Sequence, residues 1–148
     1  MTPVYAELNR WLRLPYVWGE SDCVTICADW VRRWHGIDPA ADLRLTYGSA
    51  GECERATRFF SDPLGCIAPR MAAAGLSLTR QPKIGDVGIL LLPVSAHATR
   101  PHGAICLGKK WAAKTLDGSV QQYEPFKVLA AWSVNYAHPS PVSGSLAG

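Results

Sequence analysis

The sequence predicts a single α+β domain, in which a run of helices is followed by a meander of short strands. The chain has 148 residues, close to the size of about 150 residues that is typical of one domain. Apolar residues recur at helical spacing in the first half, whereas the second half carries short apolar runs bounded by turn residues. Such an order favours N-terminal helices packed on a small antiparallel sheet.

The first two helices are predicted from their ends and from one apolar face. The first helix covers residues 3–12 and ends before Pro15. The second has Ser21 as its N-cap and Asp22 in its first turn, where a carboxylate favours the helix dipole. It ends at Gly36. Five apolar residues share one face of this helix: Cys23, Cys27, Trp30, Val31 and Trp34.

Two further helices and five strands complete the prediction. Ser49 and Glu52 match a capping box, so a third helix is expected to run to about Phe60. A fourth helix is expected from Leu64 to Ala74. The strands are expected at residues 86–92, 102–107, 111–116, 119–123 and 128–134. The dipeptide Asp117-Gly118 is a strong hairpin signal between two of them.

Composition and charge exclude several classes of protein. Hydrophobic residues make up 48% and charged residues 18% of the chain, as in a folded domain. The longest apolar run, residues 87–94, is far shorter than the roughly 20 residues of a membrane helix. We expect no secretory leader. The net charge of +3 is scattered, which argues against nucleic-acid binding. Residues 1–137 are assigned to the domain and residues 138–148 to a flexible tail.

Cys23 is the first candidate for chemistry. The N-terminus of a helix favours a thiolate, which is the nucleophilic form of cysteine, whereas the neighbouring Asp22 disfavours it. A cysteine on an apolar helix face is also a common core residue. Cys23 and Cys27 stand one helical turn apart, but no second pair at ligand spacing follows, so we expect neither a metal centre nor a cofactor.

His102 is the candidate partner of this cysteine. It follows Pro101 and is expected to open a strand, on which His102, Ala104 and Cys106 share one face. If the apolar face of the second helix packs on that face, the thiol and the imidazole meet. A cysteine in a first helical turn beside a histidine on a strand is the papain-like arrangement for acyl transfer.

Three sequence blocks resemble a known family. Residues 16–19 (Tyr-Val-Trp-Gly) followed by Asp22-Cys23, residues 84–90 (Ile-Gly-Asp-Val-Gly-Ile-Leu) and residues 102–108 (His-Gly-Ala-Ile-Cys-Leu-Gly) occur in this order. They resemble the signature of the NlpC-type cell-wall cysteine peptidases over residues 15–116. The closest similarity is to the compact group encoded among bacteriophage tail genes.

The resemblance implies a papain-like NlpC-type fold and a peptidase or amidase that cleaves the peptides of peptidoglycan. Carried onto matching positions, Cys23 is the nucleophile and His102 the general base. Tyr16, Trp18 and Asp22 are expected to form the substrate or oxyanion site. The main-chain N–H groups of Cys23 and of a neighbour are the expected oxyanion donors.

The sequence departs from this family at the third catalytic position. The polar residue that orients the histidine falls near Ala113-Lys114, and neither side chain accepts a hydrogen bond from imidazole. Lys114 and Asp117 are retained as candidates for the third member. Gln121, a backbone carbonyl or water are alternatives; otherwise the site is a dyad or is inactive.

Together these expectations predict a hydrolase of the phage virion that degrades the cell wall locally during infection. Its partners are then the peptidoglycan peptide and proteins of the tail tip or hub. The alternative is a structural tail-tip or baseplate protein that keeps the fold with a degenerate site, its tail (138–148) docking on another tail protein. An interbacterial amidase effector with the same chemistry is a third hypothesis.

Overall fold

The computed structural model describes residues 2–124 and 127–136. Within them the chain forms four helices followed by six strands. The helices are α1 (Pro3–Arg13), α2 (Cys23–His35), α3 (Ala50–Thr57) and α4 (Pro63–Ala73). The strands are β1 (Ser77–Leu78), β2 (Val87–Ser95), β3 (Ala98–Cys106), β4 (Trp111–Lys114), β5 (Val120–Tyr123) and β6 (Lys127–Ser133). The predicted α+β class is confirmed.

The strands form one antiparallel sheet in the order β1-β6-β2-β3-β4-β5. The hairpin predicted at Asp117-Gly118 is confirmed, because β4 and β5 pair across it and Gly118 adopts a φ of 87°. The sequence did not predict β1, whose two residues are too few for a periodic pattern. Strand β3 begins at Ala98, so His102 lies within the strand and does not open it.

Two helix ends differ from their predictions for local reasons. The N-cap of α2 is Asp22, because its carboxylate accepts hydrogen bonds from the N–H groups of Val24 and Thr25. The Ser21 hydroxyl instead donates to the Pro15 carbonyl. Helix α3 ends at Thr57 rather than near Phe60, since Arg58 adopts the left-handed conformation that terminates the helix.

Two apolar clusters lie on opposite faces of the central strands. The larger one joins the helices to the sheet and includes Ile26, Trp30 and Ile105. The smaller one contains Ala104 and Cys106. Helix α2 therefore packs on the Gly103 and Ile105 face of β3. The condition under which the thiol and the imidazole meet, packing on the face of His102, Ala104 and Cys106, is not fulfilled.

Two further predictions concern membrane-spanning segments and the C-terminal tail. No helix among the described residues is long and apolar enough to cross a membrane. The predicted tail, residues 138–148, lies outside the described residues.

Candidate functional site

The N-terminus of α2 is fixed by the buried carboxylate of Asp22. Its Oδ1 accepts from the N–H groups of Val24 and Thr25 at 3.0 and 2.8 Å. In return the Thr25 hydroxyl accepts from the Asp22 N–H at 3.0 Å, which completes a capping box. The first turn of the helix is thereby held rigidly, and Cys23 is its first residue.

The second carboxylate oxygen of Asp22 ties this cap to two other segments. Oδ2 accepts from the Tyr47 hydroxyl and from the Gly19 N–H, both at 2.8 Å. The carboxylate is 2% exposed, and both of its oxygens have partners inside the protein. Asp22 therefore positions Cys23, and the role expected for it in contacting substrate is not supported by this geometry.

Cys23 is a buried thiol between Tyr16 and Gly103. Hydrogen bonds from the Gly103 backbone and the Tyr16 side chain favour the thiolate. Burial and the Asp22 carboxylate oppose them and raise the pKa of the Cys23 thiol to about 12. The resting residue is thus a protonated thiol.

Gly103 allows the start of α2 to approach strand β3 closely. A Cβ at this position would lie 2.6 Å from the Cys23 carbonyl oxygen, which is closer than van der Waals contact permits. The main chain of Cys23 is therefore in direct contact with the residue that follows His102. The contact is with the β3 main chain, and the His102 side chain belongs to the opposite face of that strand.

The N–H groups expected as oxyanion donors already have partners. The Cys23 N–H donates to the Tyr16 hydroxyl at 3.4 Å, and the Val24 N–H donates to Asp22 at 3.0 Å. The long bond to Tyr16 is the weaker of the two. Among these donors, the Cys23 N–H is therefore the one more easily released to a substrate oxygen.

His102 is half-buried and carries its hydrogen bond on Nδ1. That nitrogen lies 3.2 Å from the carbonyl oxygen of Arg100. Because a carbonyl only accepts, the bond requires a proton on Nδ1 and leaves the lone pair of a neutral ring on Nε2. Burial lowers the pKa of His102, and the Arg100 charge acts in the same direction. The imidazole is held as a neutral base.

The partner that orients His102 is a backbone carbonyl, one of the alternatives open at the sequence level. In the described part of the chain no hydrogen bond joins the imidazole to the Cys23 thiol. His102 shares a face of β3 with Ala104, whereas Cys23 contacts the Gly103 face.

Lys114 is not the third member of the site. Its buried ammonium donates to the carbonyls of Trp11 and Gly118, both at 2.6 Å, and to that of Leu14. Burial lowers the pKa of this ammonium group. The side chain fastens the C-terminal end of α1 to the β4–β5 hairpin.

Asp117 also has a structural role. Its exposed carboxylate accepts hydrogen bonds from the Thr115 hydroxyl and from both the N–H and hydroxyl of Ser119. These bonds lower the pKa of Asp117 to about 2. The residue closes the hairpin turn that its Asp-Gly dipeptide predicts.

A row of partly buried aromatic rings leads away from Cys23. Tyr16 and Trp18 meet edge to face with ring centroids 5.2 Å apart, and Trp18 meets Phe60 at 6.2 Å. The guanidinium of Arg100 lies over the Phe60 ring at 5.0 Å. Tyr16 thus contacts Cys23 directly, and Trp18, Phe60 and Arg100 follow it in the row.

Several residues that shape the site were missed by sequence reasoning. The spacing of Asp22 and Thr25 is a capping-box signal that could have placed the N-cap correctly. Tyr47 and the Arg100 carbonyl reach the site from distant segments and leave no local signal. Within residues 2–124 and 127–136, no group of His, Cys, Asp or Glu side chains is arranged to hold a metal ion.

Comparisons with known proteins assign a family without an activity. Residues 2–134 match the model of a family described as a domain of unknown function, DUF6950. No curated protein matches the chain, and no solved structure matches it.

Proposed function

The chain belongs to the DUF6950 family, and we propose that it is a papain-like cysteine peptidase or amidase of the NlpC type. In this proposal Cys23 is the nucleophile and His102 the general base. The observation that carries it is the place of Cys23 as the first residue of the capped helix α2, with its main chain against the strand that carries His102. The Arg100 carbonyl supports the role of His102, since it fixes the tautomer whose Nε2 accepts a proton.

In this proposal substrate binding first brings the His102 ring to the thiol, because the two side chains belong to opposite faces of β3 in the structure. His102 Nε2 takes the thiol proton, and the Cys23 sulfur attacks the carbonyl carbon of the scissile amide. The Cys23 N–H and the Tyr16 hydroxyl stabilise the oxyanion. The C–N bond breaks as His102 returns the proton to the leaving amine. Water then hydrolyses the thioester, again with His102 as base, and restores the thiol.

The proposed substrate is a peptidoglycan peptide, and the proposed location is the tail of a phage particle. The order of the Tyr16–Cys23, 84–90 and 102–108 blocks supports this assignment, since the compact NlpC-type proteins share it. The aromatic row of Tyr16, Trp18 and Phe60 supplies one wall for an extended peptide. Proteins of the tail tip or hub are the proposed partners.

Digestion of purified peptidoglycan tests the activity directly. The wild-type chain, Cys23→Ala and Cys27→Ala are incubated with the polymer, and released fragments are identified by mass spectrometry. We expect new amine termini with the wild type and with Cys27→Ala, but none with Cys23→Ala. Cys27 is a matched control because it is a buried cysteine one turn further along α2. Identical products from all three proteins would exclude Cys23 as nucleophile.

The pH dependence of Cys23 alkylation distinguishes a reactive thiol–imidazole pair from an unreactive, buried thiol. The rate of iodoacetamide reaction at Cys23 is measured against pH, with the other thiols resolved by peptide mapping. We expect bound peptide substrate to lower the midpoint pH of Cys23 alkylation well below the free-thiol pKa of about 8.5. His102→Ala is expected to abolish this shift. A Cys23 that is indifferent to both substrate and His102 contradicts the catalytic assignment.

A structural tail protein is the second candidate function, and the state of the thiol favours it. Cys23 is 5% exposed, and its pKa is raised to about 12. A protein that only needs the fold would tolerate such a closed thiol. Phage assembly distinguishes the two: Cys23→Ala particles that form but fail to infect support the enzyme. Normal infection by Cys23→Ala particles, with lost assembly on removal of residues 138–148, supports the structural protein.

A further inference from the structure

An apolar cavity lies between α2, α4 and the sheet. Ala28 and Val31 of α2 line one side of it, and Met71 of α4 lines another. Its volume is about 50 Å³. Cys23 and His102 are not among the described residues that line it, so the cavity is not part of the catalytic site proposed above.

The size and the lining of this cavity suit a small hydrocarbon group. Among the described residues that line it, Arg70 is the one that carries a charge, and most of the others are aliphatic or aromatic. An apolar cavity of about 150 Å³ stays free of water and binds benzene, which has six carbon atoms. In proportion, the cavity beside α2 has room for about two or three carbon atoms.

The cavity reaches the surface at a rim that includes Arg70. Most of the lining residues are buried, but four are partly exposed: Val24, Pro39, Ile67 and Arg70. The Arg70 side chain is 28% exposed. An elongated molecule can therefore place its apolar end inside the cavity and its polar end at the guanidinium group.

At this rim Arg70 already binds a carboxylate of the chain itself. Its Nε donates to Asp42 Oδ1 at 3.0 Å, and its Nη2 donates to Asp42 Oδ2 at 2.8 Å. Two parallel hydrogen bonds of this kind are typical of arginine and a carboxylate. The Asp42 side chain is 64% exposed, and an ion pair in contact with water contributes little to stability. The Asp42 carboxylate can therefore be exchanged for the carboxylate of a ligand.

We propose that this cavity binds a free aliphatic monocarboxylate with about two or three carbon atoms beyond the carboxyl group. The hydrocarbon chain fills the cavity, and the carboxylate takes the place of Asp42 on the guanidinium group of Arg70. Each methylene group that enters strengthens binding about fourfold until the cavity is full. A longer chain enters only by displacing packed side chains. The site and its ligand are independent of the proposed peptidase activity.

Titration of the full chain with acids of increasing length tests the site. Methyl-labelled protein is titrated with acetate, propionate, butyrate and hexanoate up to tens of millimolar, and the methyl resonances of Val31, Ile67 and Met71 are followed by NMR. We expect saturable shifts whose dissociation constant falls from acetate to butyrate and rises again for hexanoate. Leu116, exposed between β4 and β5, reports non-specific binding and should not shift. Shifts that are absent, or that do not saturate, would overturn the proposal.

Variants at the rim test the roles of the two charged groups. Arg70→Gln is expected to weaken butyrate binding about tenfold or more, because it removes the charged donor of the carboxylate. Asp42→Asn is expected to strengthen butyrate binding, because it removes the competing carboxylate. Arg80→Gln, at an exposed arginine outside the described lining, is the matched control and should bind as the wild type does. Equal binding by the wild type and Arg70→Gln would contradict the place assigned to the carboxylate.

Two further measurements test where the hydrocarbon chain lies and what kind of molecule supplies it. Ala28→Val adds two methyl groups to the lining, about as many carbon atoms as the cavity holds, and we expect it to abolish butyrate binding. Undiminished binding by this variant would place the chain outside the cavity. If the variant fails to fold, the dependence on chain length in the wild type carries the same test. Tighter binding of N-acetylalanine than of propionate would identify the ligand as the end of a peptide and overturn the proposal of a free acid.

Discussion

The carbonyl oxygen of Cys23 lies against Gly103 so closely that a methyl group at position 103 would come within 2.6 Å of it. This contact joins the first residue of α2 to the middle of β3. It depends on the absence of a side chain, and it fixes how near the proposed nucleophile stands to the strand of His102.

Gly103→Ala is therefore expected to push the start of α2 away from β3. Inserting a methyl group into a packed contact costs about 1–3 kcal/mol of unfolding free energy. The displaced obstacle is backbone, which cannot rotate away as a side chain does. Urea denaturation of the wild type and the variant measures the loss.

Gly48→Ala is the matched control for this substitution. The nearest atom to its added Cβ is a Glu52 carboxylate oxygen at 3.8 Å, an ordinary contact distance. We expect its unfolding free energy to stay within about 0.5 kcal/mol of the wild type. Equal stability of Gly103→Ala and Gly48→Ala would show that α2 does not need the close approach.

Asp22→Asn is expected to change stability and thiol chemistry in opposite directions. The amide group has one acceptor oxygen for the five N–H and O–H donors that now share two oxygens, so the fold loses about 2 kcal/mol. The negative charge that raises the pKa of Cys23 is removed as well. The midpoint of Cys23 alkylation should therefore move to lower pH.

Asp62→Asn separates the general effect of a helix cap from the charge beside Cys23. Asp62 caps α4 by accepting one hydrogen bond, from the Gly65 N–H at 3.0 Å. Asparagine is an equally good cap, so we expect a cost of less than about 1 kcal/mol. The alkylation midpoint of Cys23 should not change. A midpoint that moves equally in both variants would mean that the Asp22 charge is not what controls the thiol.

The local parts of this fold were predictable, and the long-range parts were not. Periodicity, caps and the Asp117-Gly118 turn located all four helices and five of the six strands, because each signal is contained in a few neighbouring residues. The catalytic pairing required α2 to pack on the face of β3 that carries His102, and α2 packs on the other face. Both faces of β3 carry small residues near His102. Which face α2 packs on depends on a tertiary contact, the close approach of the Cys23 carbonyl oxygen to Gly103.

Lys114 illustrates the same limit in the candidate site. Its position on the strand after that of His102 made it a candidate for chemistry, but nothing nearby in sequence predicts its partners. Two of the three carbonyls that it binds lie about a hundred residues away, at the end of α1. The end of a helix leaves its last carbonyls short of backbone donors, and the buried ammonium group binds those of Trp11 and Leu14.

Lys114→Met is expected to destabilise the protein strongly. The substitution keeps most of the side-chain volume but leaves the carbonyls of Leu14 and Gly118 without the ammonium donor. Each buried carbonyl left without a donor costs about 1–3 kcal/mol, so we expect a loss of roughly 3 kcal/mol. Chemical denaturation measures the loss, and Lys110→Met, at an exposed lysine, serves as control with an expected change below about 0.5 kcal/mol. If Lys114→Met lowers the unfolding free energy no more than Lys110→Met does, water replaces the ammonium group as the donor to these carbonyls.

Asp117 gives the hairpin an acid-sensitive contribution to stability. Hydrogen bonds from Thr115 and Ser119 lower its pKa to about 2 in the folded chain, whereas an unfolded chain has the ordinary value near 3.9. A lowered carboxyl pKa stabilises the fold above the unfolded value, and this contribution is lost as the pH falls from about 4 towards 2. The stability difference between wild type and Asp117→Asn should be constant above pH 5 and shrink below pH 4.

Thr115→Val identifies the cause of this effect. It removes the hydroxyl that contributes most to lowering the Asp117 pKa, while keeping the size and β-branching of the side chain. A carboxyl-carbon NMR titration should show the Asp117 midpoint rising towards its ordinary value. The decrease in unfolding free energy below pH 4 should become smaller as well. An unchanged midpoint in Thr115→Val would assign the low pKa to Ser119 alone. If the stability difference between the wild type and Asp117→Asn does not change with pH, Asp117 does not contribute to the loss of stability in acid.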